Sequence, residues 1–408
     1  MLFLRFPPEN GREARFISHC STNRMIVRTY FPSRCSGISL ICLLLTLMSL
    51  TIAACGGGDR PGDASDSTEA GDDAAGQTGD PVVPAGNEVA SSFEEAQPVA
   101  PEVSYTLRVR PKVGDVYSYR VMQSGVTEFE GLQATEEAAY NFTQRITGVN
   151  EDGSFTVEMR YDSIRAMKAF PAGVIDSVPR TVRYDTRGKI DTTIPEALQA
   201  KALIGKKVSL TLSNEGEVRE ISNLEPIVSA ILGKYRDSLP PRSIEQIRAG
   251  VRLSVFQAIV QQLFLQSKGD SAISVGSEWV RRDSVPLVMP IATVPSRATV
   301  TYKVVEIKEV NDEPLGRVTV SLSTVFPRKN LEDETGKATI DEASATGSGD
   351  ALLNLNTGFP VRKSTKIEVK LKLTGSAKSG PGAGRSTTLA QGKSTTTLVE
   401  LLNHTPAK

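Results

Sequence analysis

From Val103 onward, apolar and polar residues alternate in short runs. Examples are Tyr105-Thr-Leu107-Arg-Val109, Asp115-Val-Tyr117-Ser-Tyr119-Arg-Val121, Ser154-Phe155-Thr-Val157-Glu-Met159, Arg317-Val318-Thr-Val320-Ser-Leu322 and Ile367-Glu-Val369-Lys-Leu371-Lys-Leu373. Successive side chains leave a pleated strand on opposite sides, so a period of two marks strands with one buried face. Asn150-Glu-Asp-Gly153, Asn214-Glu-Gly216, Asn311-Asp-Glu-Pro314 and Asn356-Thr-Gly358 separate the runs with residues that tolerate the left-handed backbone of tight hairpins. Two windows, Asn223–Tyr235 and Ser243–Lys268, have helical spacing instead. In the second, Ile244, Ile247, Val251, Val255, Ile259 and Leu263 recur every three or four residues, after Pro240-Pro241 and a Ser243 suited to an N-cap. Phe256, Val260 and Phe264 widen that apolar stripe, so this helix is expected to be sandwiched or to cover an apolar opening.

The pattern predicts an α+β fold, mostly β: a curved antiparallel sheet or partly open barrel in two related halves with a helical hairpin between them. The two halves rest on a weak internal repeat. Val113-Gly114-Asp115 leads to Val149-Asn150, 36 residues on, and Val275-Gly276-Ser277 leads to Val310-Asn311, 35 residues on. Chance similarity between two β-hairpins is the competing explanation.

The chain before Val103 has another texture. Ile38–Ala54 is apolar and follows Arg28 and Arg34, the order of charged and greasy regions in a secretory signal, and residues 1–54 are read as that signal. It ends in Ile52-Ala53-Ala54-Cys55, which closely resembles a lipobox. The resemblance implies cleavage of the Ala54–Cys55 bond and lipid attachment, palmitate included, at Cys55. An uncleaved membrane-spanning helix is the alternative, since 17 residues reach the lower limit for a hydrocarbon core of about 30 Å. Ser and Thr within the run, and Gly56-Gly57-Gly58-Asp59 in place of stop-transfer charges, argue against it. The mixed, charged residues before Met25 do not fit a signal, and translation is expected to start at Met25.

Residues 55–102 hold one Arg against eleven acids and few large apolar side chains. They are read as a lipidated cysteine followed by a disordered acidic tether, too poor in apolar surface to offset the entropy of ordering. Formal net charge is zero overall, yet residues 103–408 carry forty Lys and Arg against thirty-four Asp and Glu. That mild, scattered excess does not point to nucleic acid. All four cysteines lie at or before Cys55, so the β-rich domain, 103–403, has no thiol for a disulfide and must be held by an ordinary core.

Candidate chemistry is sparse. His19 precedes the cleavage point and His404 falls in what is read as a tail, 404–408, which argues against triads and His/Cys zinc sites. Glu332-Asp333-Glu334 with Asp341-Glu342 reads as a solvated loop, and Asp162 as an exposed strand-end carboxylate. Gly392-Lys393-Ser394 imitates the end of a phosphate-binding loop, but Thr387 stands where its first glycine is required, so no nucleotide is expected. Trp279 reads as a core or barrel-rim residue, and the Thr-rich end from Ser386 as a closing strand pair. The expectation is no catalytic residues, no metal and no cofactor.

Lys112-Val-Gly-Asp115-Val-Tyr117, Gly148–Gly153 leading into Tyr161-Asp162-Ser-Ile164, Leu203-Ile-Gly-Lys206 running to Gly216-Glu-Val218, and Val275-Gly-Ser-Glu-Trp279 together resemble a family of uncharacterised bacterial lipoproteins known only as a domain of unknown function. The markers are turns and strands, so the resemblance implies a fold and an address without catalytic residues. A looser similarity links Asn354-Leu-Asn356-Thr-Gly358-Phe-Pro360 to periplasmic lipoprotein carriers and other lipid-binding lipoproteins, in which a curved sheet wraps an apolar cavity closed by helices. The reading is a non-catalytic cell-envelope lipoprotein, held to a membrane by lipid on Cys55 and binding an apolar or amphipathic ligand. A docking protein for an envelope partner is the alternative, and a carboxylate-based glycan hydrolase a further one. Gly56, not an acidic residue, after the cysteine favours the outer membrane by resemblance to sorted lipoproteins.

Overall fold

The computed structural model describes residues 86–100, 102–172, 179–191, 193–265, 272–288, 293–326, 330–332, 336–377 and 386–407. Helix α1 (Gly86–Glu95) leads into β1 (Tyr105–Thr106) and three long strands, β2 (Val116–Phe129), β3 (Leu132–Val149) and β4 (Phe155–Phe170). Then come β5 (Arg180–Asp185), α2 (Pro195–Leu203), β6 (Lys207–Leu212), β7 (Val218–Ser222), α3 (Glu225–Leu232) and α4 (Pro241–Gly250). A π-helical stretch, Val251–Gln257, runs straight on into α5 (Ala258–Leu263). The rest is strand: β8 (Ala272–Ile273), β9 (Glu278–Val288), β10 (Thr293–Val310), β11 (Glu313–Val325), β12 (Asn330–Glu332), β13 (Gly336–Asn354), β14 (Pro360–Ala377) and β15 (Ser386–Thr405).

Thirteen strands form one antiparallel sheet in the order β7-β6-β4-β3-β2-β15-β14-β13-β11-β10-β9, with β5 on β4 and β12 on β13, while β1 and β8 pair separately. The alternation explains the pairing. Along β14, Ile367, Val369, Leu371 and Leu373 are buried while Lys366, Glu368, Lys370 and Lys372 between them are exposed. A slip of one residue would turn the whole apolar set to water, so register is fixed by burial.

The repeat is structural. Gly114 and Gly276 both have positive φ, +99° and +87°. Gly114 N–H donates to Ile146 at 2.9 Å and Gly276 N–H to Val304 at 2.8 Å, each carbonyl belonging to the next strand. Both following strands bulge just beyond that point, between Ile146 and Gly148 and between Val304 and Glu306. The two meanders, β2-β3-β4 and β9-β10-β11, lie on either side of the three C-terminal strands, and the helices connect them in sequence.

Helices form at both expected windows, α3 within the first and the π-helical stretch and α5 within the second, where α4 starts two residues early. The long one begins at Pro241, whose missing N–H is harmless at a first position, so Ser243 lies inside the helix and does not cap it. Its Phe256, Val260 and Phe264 are all buried, so it is covered on more than one stripe, as their breadth predicted. Helix α2 was not legible, because its Ala-rich run is too short for a clear period.

The tether expected over 55–102 ends earlier than read. Its last part forms α1, whose Phe93 is fully buried against Val310, Leu315, Leu352 and Val361. Lys308 Nζ and the Arg317 guanidinium lie 5.0 and 4.9 Å from the Phe93 ring centroid, and Lys308 donates at 3.1 Å to the Glu94 carbonyl in the last turn. Phe93, with Val89, Ala90 and Ala96 packed beside it, docks the helix, with cations over its ring and at its C-terminal end.

The sheet is not closed by a ladder, yet its ends are clasped. Arg281 on the last strand, β9, pairs with Glu217 beside β7, the strand at the other end. The segment 107–110 crosses between two hairpin tips. Val109 N–H donates to Asn214 at 3.0 Å and Arg110 N–H to Thr357 at 2.8 Å. Leu107 and Val109 are buried, one in each of two apolar cores.

Candidate functional site

Two apolar fields and a polar seam make up the inner face of the sheet. The first field joins Tyr119, Val121, Phe142, Ile146, Met159, Tyr161, Leu210 and Val399 to the helical residues Leu203, Ile227, Val228, Phe256, Val260 and Leu263. The second joins Trp279, Val300, Tyr302, Val320, Leu322, Ala351, Ile367, Val369, Leu371 and Leu373. Among the described residues, no helical side chain belongs to this second field.

Between them the inward positions turn polar. Cross-strand partners share a face, so the pairs Gln123–Thr397 and Thr397–Thr365 place three polar side chains in one row across β2, β15 and β14. Buried Gln262 of α5 meets the row, accepting from Gln123 Nε2 at 3.4 Å, and Thr365 Oγ1 donates to the Thr397 carbonyl at 3.4 Å. Lys363, two residues along β14 on the same face, is 3% exposed. It lies opposite Val399 of the first field and Ala351 of the second.

Further along the strands the row holds charge. Lys393 Nζ is 2.7 Å from Glu136 Oε1. Gly125 makes the room: a Cβ there would lie 3.2 Å from both Cγ and Oε1 of Glu136. Lys168 pairs with Glu136 across β3 and β4. Burial lowers the Lys168 pKa, Lys393 adds to the lowering, and the carboxylates of Glu136 and Glu196 oppose it. Burial, with Glu196 nearby, pushes the Tyr184 phenol up to about 12.

A second polar cluster closes the opposite end of β2. The His404 and Tyr117 rings stack at 4.3 Å between centroids and 3°, and Phe359 stacks on Tyr117 at 4.1 Å and 9°. Buried Asp115 accepts from the Tyr117 hydroxyl at 3.2 Å and from Ala407 N–H at 2.9 Å. His404 therefore belongs to β15 and not to the tail expected over 404–408. Burial lowers its pKa below the ordinary 6.5, helped by Lys112 and opposed by Asp115 and Glu313. The sign follows: the unfolded chain takes up this proton at a higher pH than the folded one. Stability from the neutral ring is whole above the ordinary value and is lost as pH falls below it. The urea midpoint is expected to drop between about pH 7 and pH 5, and less so in His404→Phe, which keeps the stack. Equal slopes would remove His404 as the source.

The arrangement sets apolar side chains beside inward cations. Among the described residues, no group of three or more His, Cys, Asp or Glu side chains is placed to hold a metal ion.

The Family of unknown function (DUF6263) matches residues 152–360, just over half of the chain. The chain belongs to that family. In this DUF6263 protein the match takes in β4, the last strand of the first meander, then the helices and the whole second meander, and ends at the hairpin at Gly358. No curated protein matches the sequence. Among solved structures, lipovitellin, in a study of its lipid–protein interactions, is similar over 73% of this chain and 26% of its own, at 11% identity and TM-score 0.37. The chain thus spans about a quarter of that lipovitellin. The translocator domain of the autotransporter NalP from Neisseria meningitidis aligns over 77% and 94% of the two chains, at 9% identity and TM-score 0.13. A DUF1329 family protein from Desulfovibrio piger aligns over 78% and 90%, at 10% identity and TM-score 0.14.

Of the residues singled out in the sequence of this DUF6263 chain, Cys55, Met25, Gly56 and the apolar run before Cys55 lie outside the described residues. Asp162 sits within β4 and not at its end, held by Arg160 at 2.8 Å and by the Thr143 hydroxyl at 2.6 Å. Asp341 accepts from Thr374 Oγ1 at 2.6 Å. Trp279 is buried and stacks on Tyr302 at 5.0 Å and 11°. The Thr-rich end forms one central strand, β15, pairing with β14 and β2, not a closing pair. Among the described residues no helix is long and apolar enough to cross a membrane.

Proposed function

We propose that the chain is a non-catalytic binding lipoprotein of the cell envelope, anchored through lipid on Cys55 at the outer membrane, which holds an amphipathic ligand against the inner face of its sheet. One observation carries this reading: an extensive apolar field on an unclosed sheet, with no helix packed on it among the described residues and a seam of inward polar and cationic side chains along its border. A protein built only for stiffness gains nothing from polar side chains inside its sheet, whereas a site for a molecule with one wet end and one apolar end requires both surfaces. The test is native mass spectrometry, with organic extraction, of the mature protein purified from its own envelope. A stoichiometric apolar or amphipathic molecule is the expected result. A folded protein that emerges empty, and stays empty after incubation with envelope lipid extract, overturns the reading.

A further inference from the structure

The C-terminal end of β15 is held by one buried carboxylate. Both oxygens of Asp115 are engaged, Oδ1 by Ala407 N–H at 2.9 Å and Oδ2 by the Tyr117 hydroxyl at 3.2 Å. Burial, with Asp115 beside it, pushes the Tyr117 phenol well up, so that hydroxyl stays a donor near neutral pH. His404 Nε2 lies 3.8 Å from Asp115 Oδ2, itself buried and without a hydrogen-bond partner among the described residues. That place suits a neutral ring. An imidazolium would have to leave its 3° stack on Tyr117 to reach Asp115, or keep the stack with its charge unbonded. Of the charged groups around the ring, Asp115 and Glu313 favour the proton, Lys112 opposes it, and burial outweighs the two acids.

The stack reaches beyond β15. Tyr117 also stacks on Phe359, and Phe359 meets Phe264, next to the end of α5, at 5.4 Å. The Phe359 carbonyl accepts from Asn354 N–H at 3.0 Å and closes the hairpin tip 354–359. That tip holds the crossing segment, through Thr357 to Arg110 N–H and through the close approach of Gly358 to Arg108. A ring that loses its place when protonated therefore supports the tip on which 107–110 rests.

We infer that His404 is the trigger of an acid-released latch, whose protonation frees the end of β15 from Tyr117 and loosens the hairpin tip 354–359 together with the crossing segment 107–110. The latch stands apart from the binding reading above, since no ligand enters the argument. The test is hydrogen exchange of the mature protein at pH 7.5 and pH 5.5, corrected for the intrinsic pH dependence of exchange. A freed ring regains the ordinary value of 6.5 while the held ring lies below it, so opening should rise by up to about tenfold over this interval. Residues 107–110, 354–359 and 402–407 are expected to lose protection together, while the strand cores around Val300 and Val320 keep theirs. His404→Phe keeps a stacked ring that takes no proton, and should hold all three segments equally at both pH values. His404→Gln has neither ring nor charge, and should leave them open at both. An acid loss that persists in either variant removes His404 as the trigger. A loss in the native chain that is absent, confined to 402–407 or spread evenly over the sheet overturns the latch, as does native protection at pH 7.5 in His404→Gln.

Discussion

Gly358→Ala is expected to destabilise the protein by about 2–5 kcal/mol, with the larger part coming from a collision between backbones. Gly358 has φ +74°, where an L side chain costs about 1–2 kcal/mol of strain wherever it occurs. Its Cβ would also stand 2.2 Å from the Arg108 carbonyl oxygen and 2.9 Å from Val109 Cα. No rotamer relieves that contact. The crossing segment must lift, which stretches the Arg110–Thr357 hydrogen bond and withdraws Leu107 and Val109 from the two cores. Gly131, at φ +79° with nothing within 4 Å of its Cβ, isolates the strain. Gly131→Ala should therefore shift the urea midpoint by much less. Equal shifts for the two substitutions would mean that the crossing segment yields freely and does not hold the hairpin tips together.

Much of this architecture was legible because the alternation is a direct consequence of burial. Four of the hairpin turns, the two helical windows and the repeat each reappear at the residues that suggested them. Strand length was not legible, since the runs reach five to eight residues while β2, β3 and β15 extend over 14, 18 and 20. The missing parts are those where inward positions are polar. Gln123, Gly125, Thr127, Glu136, Lys168 and Lys393 interrupt the period on the inner face, so a rule that equates inward with apolar stops there. Helix α1 was missed because one buried phenylalanine among acids and small residues leaves no period.

The site was hidden for the same reason, although a signal existed. Carrying the Ile367, Val369, Leu371, Leu373 series backward by twos reaches Thr365 and then Lys363, which assigns a lysine to the buried face. A charge in phase with a core stripe is informative, because a lysine on a half-buried strand ordinarily falls out of phase, as Lys366, Lys370 and Lys372 do. The polar seam thus accounts both for where the strand reading stopped and for where the candidate site lies.

Phe256→Ala is expected to cost about 3–5 kcal/mol, the range for truncating a fully buried aromatic side chain. Phe256 has no exposed surface, and its ring centroid lies 5.7 Å from that of Tyr161 on β4. Next to it, the Tyr161 hydroxyl donates at 2.6 Å to the Val255 carbonyl within the π-helical stretch, so sheet and helix layer are joined here by packing and by a buried hydrogen bond. Helix α4 contrasts with this stretch, since none of its residues is buried and Ile244 and Ile247 only lean against the core. Ile247→Ala should therefore cost about 1 kcal/mol, because its methyl groups are already partly in water. The measurement is the urea midpoint of the two variants, followed by hydrogen exchange along 241–263. In Phe256→Ala, protection should fall from the π-helical stretch through α5. In Ile247→Ala it should fall only within α4. Similar losses in both variants would mean that the layer is held along its whole length, and that the π-helical stretch is not its anchor.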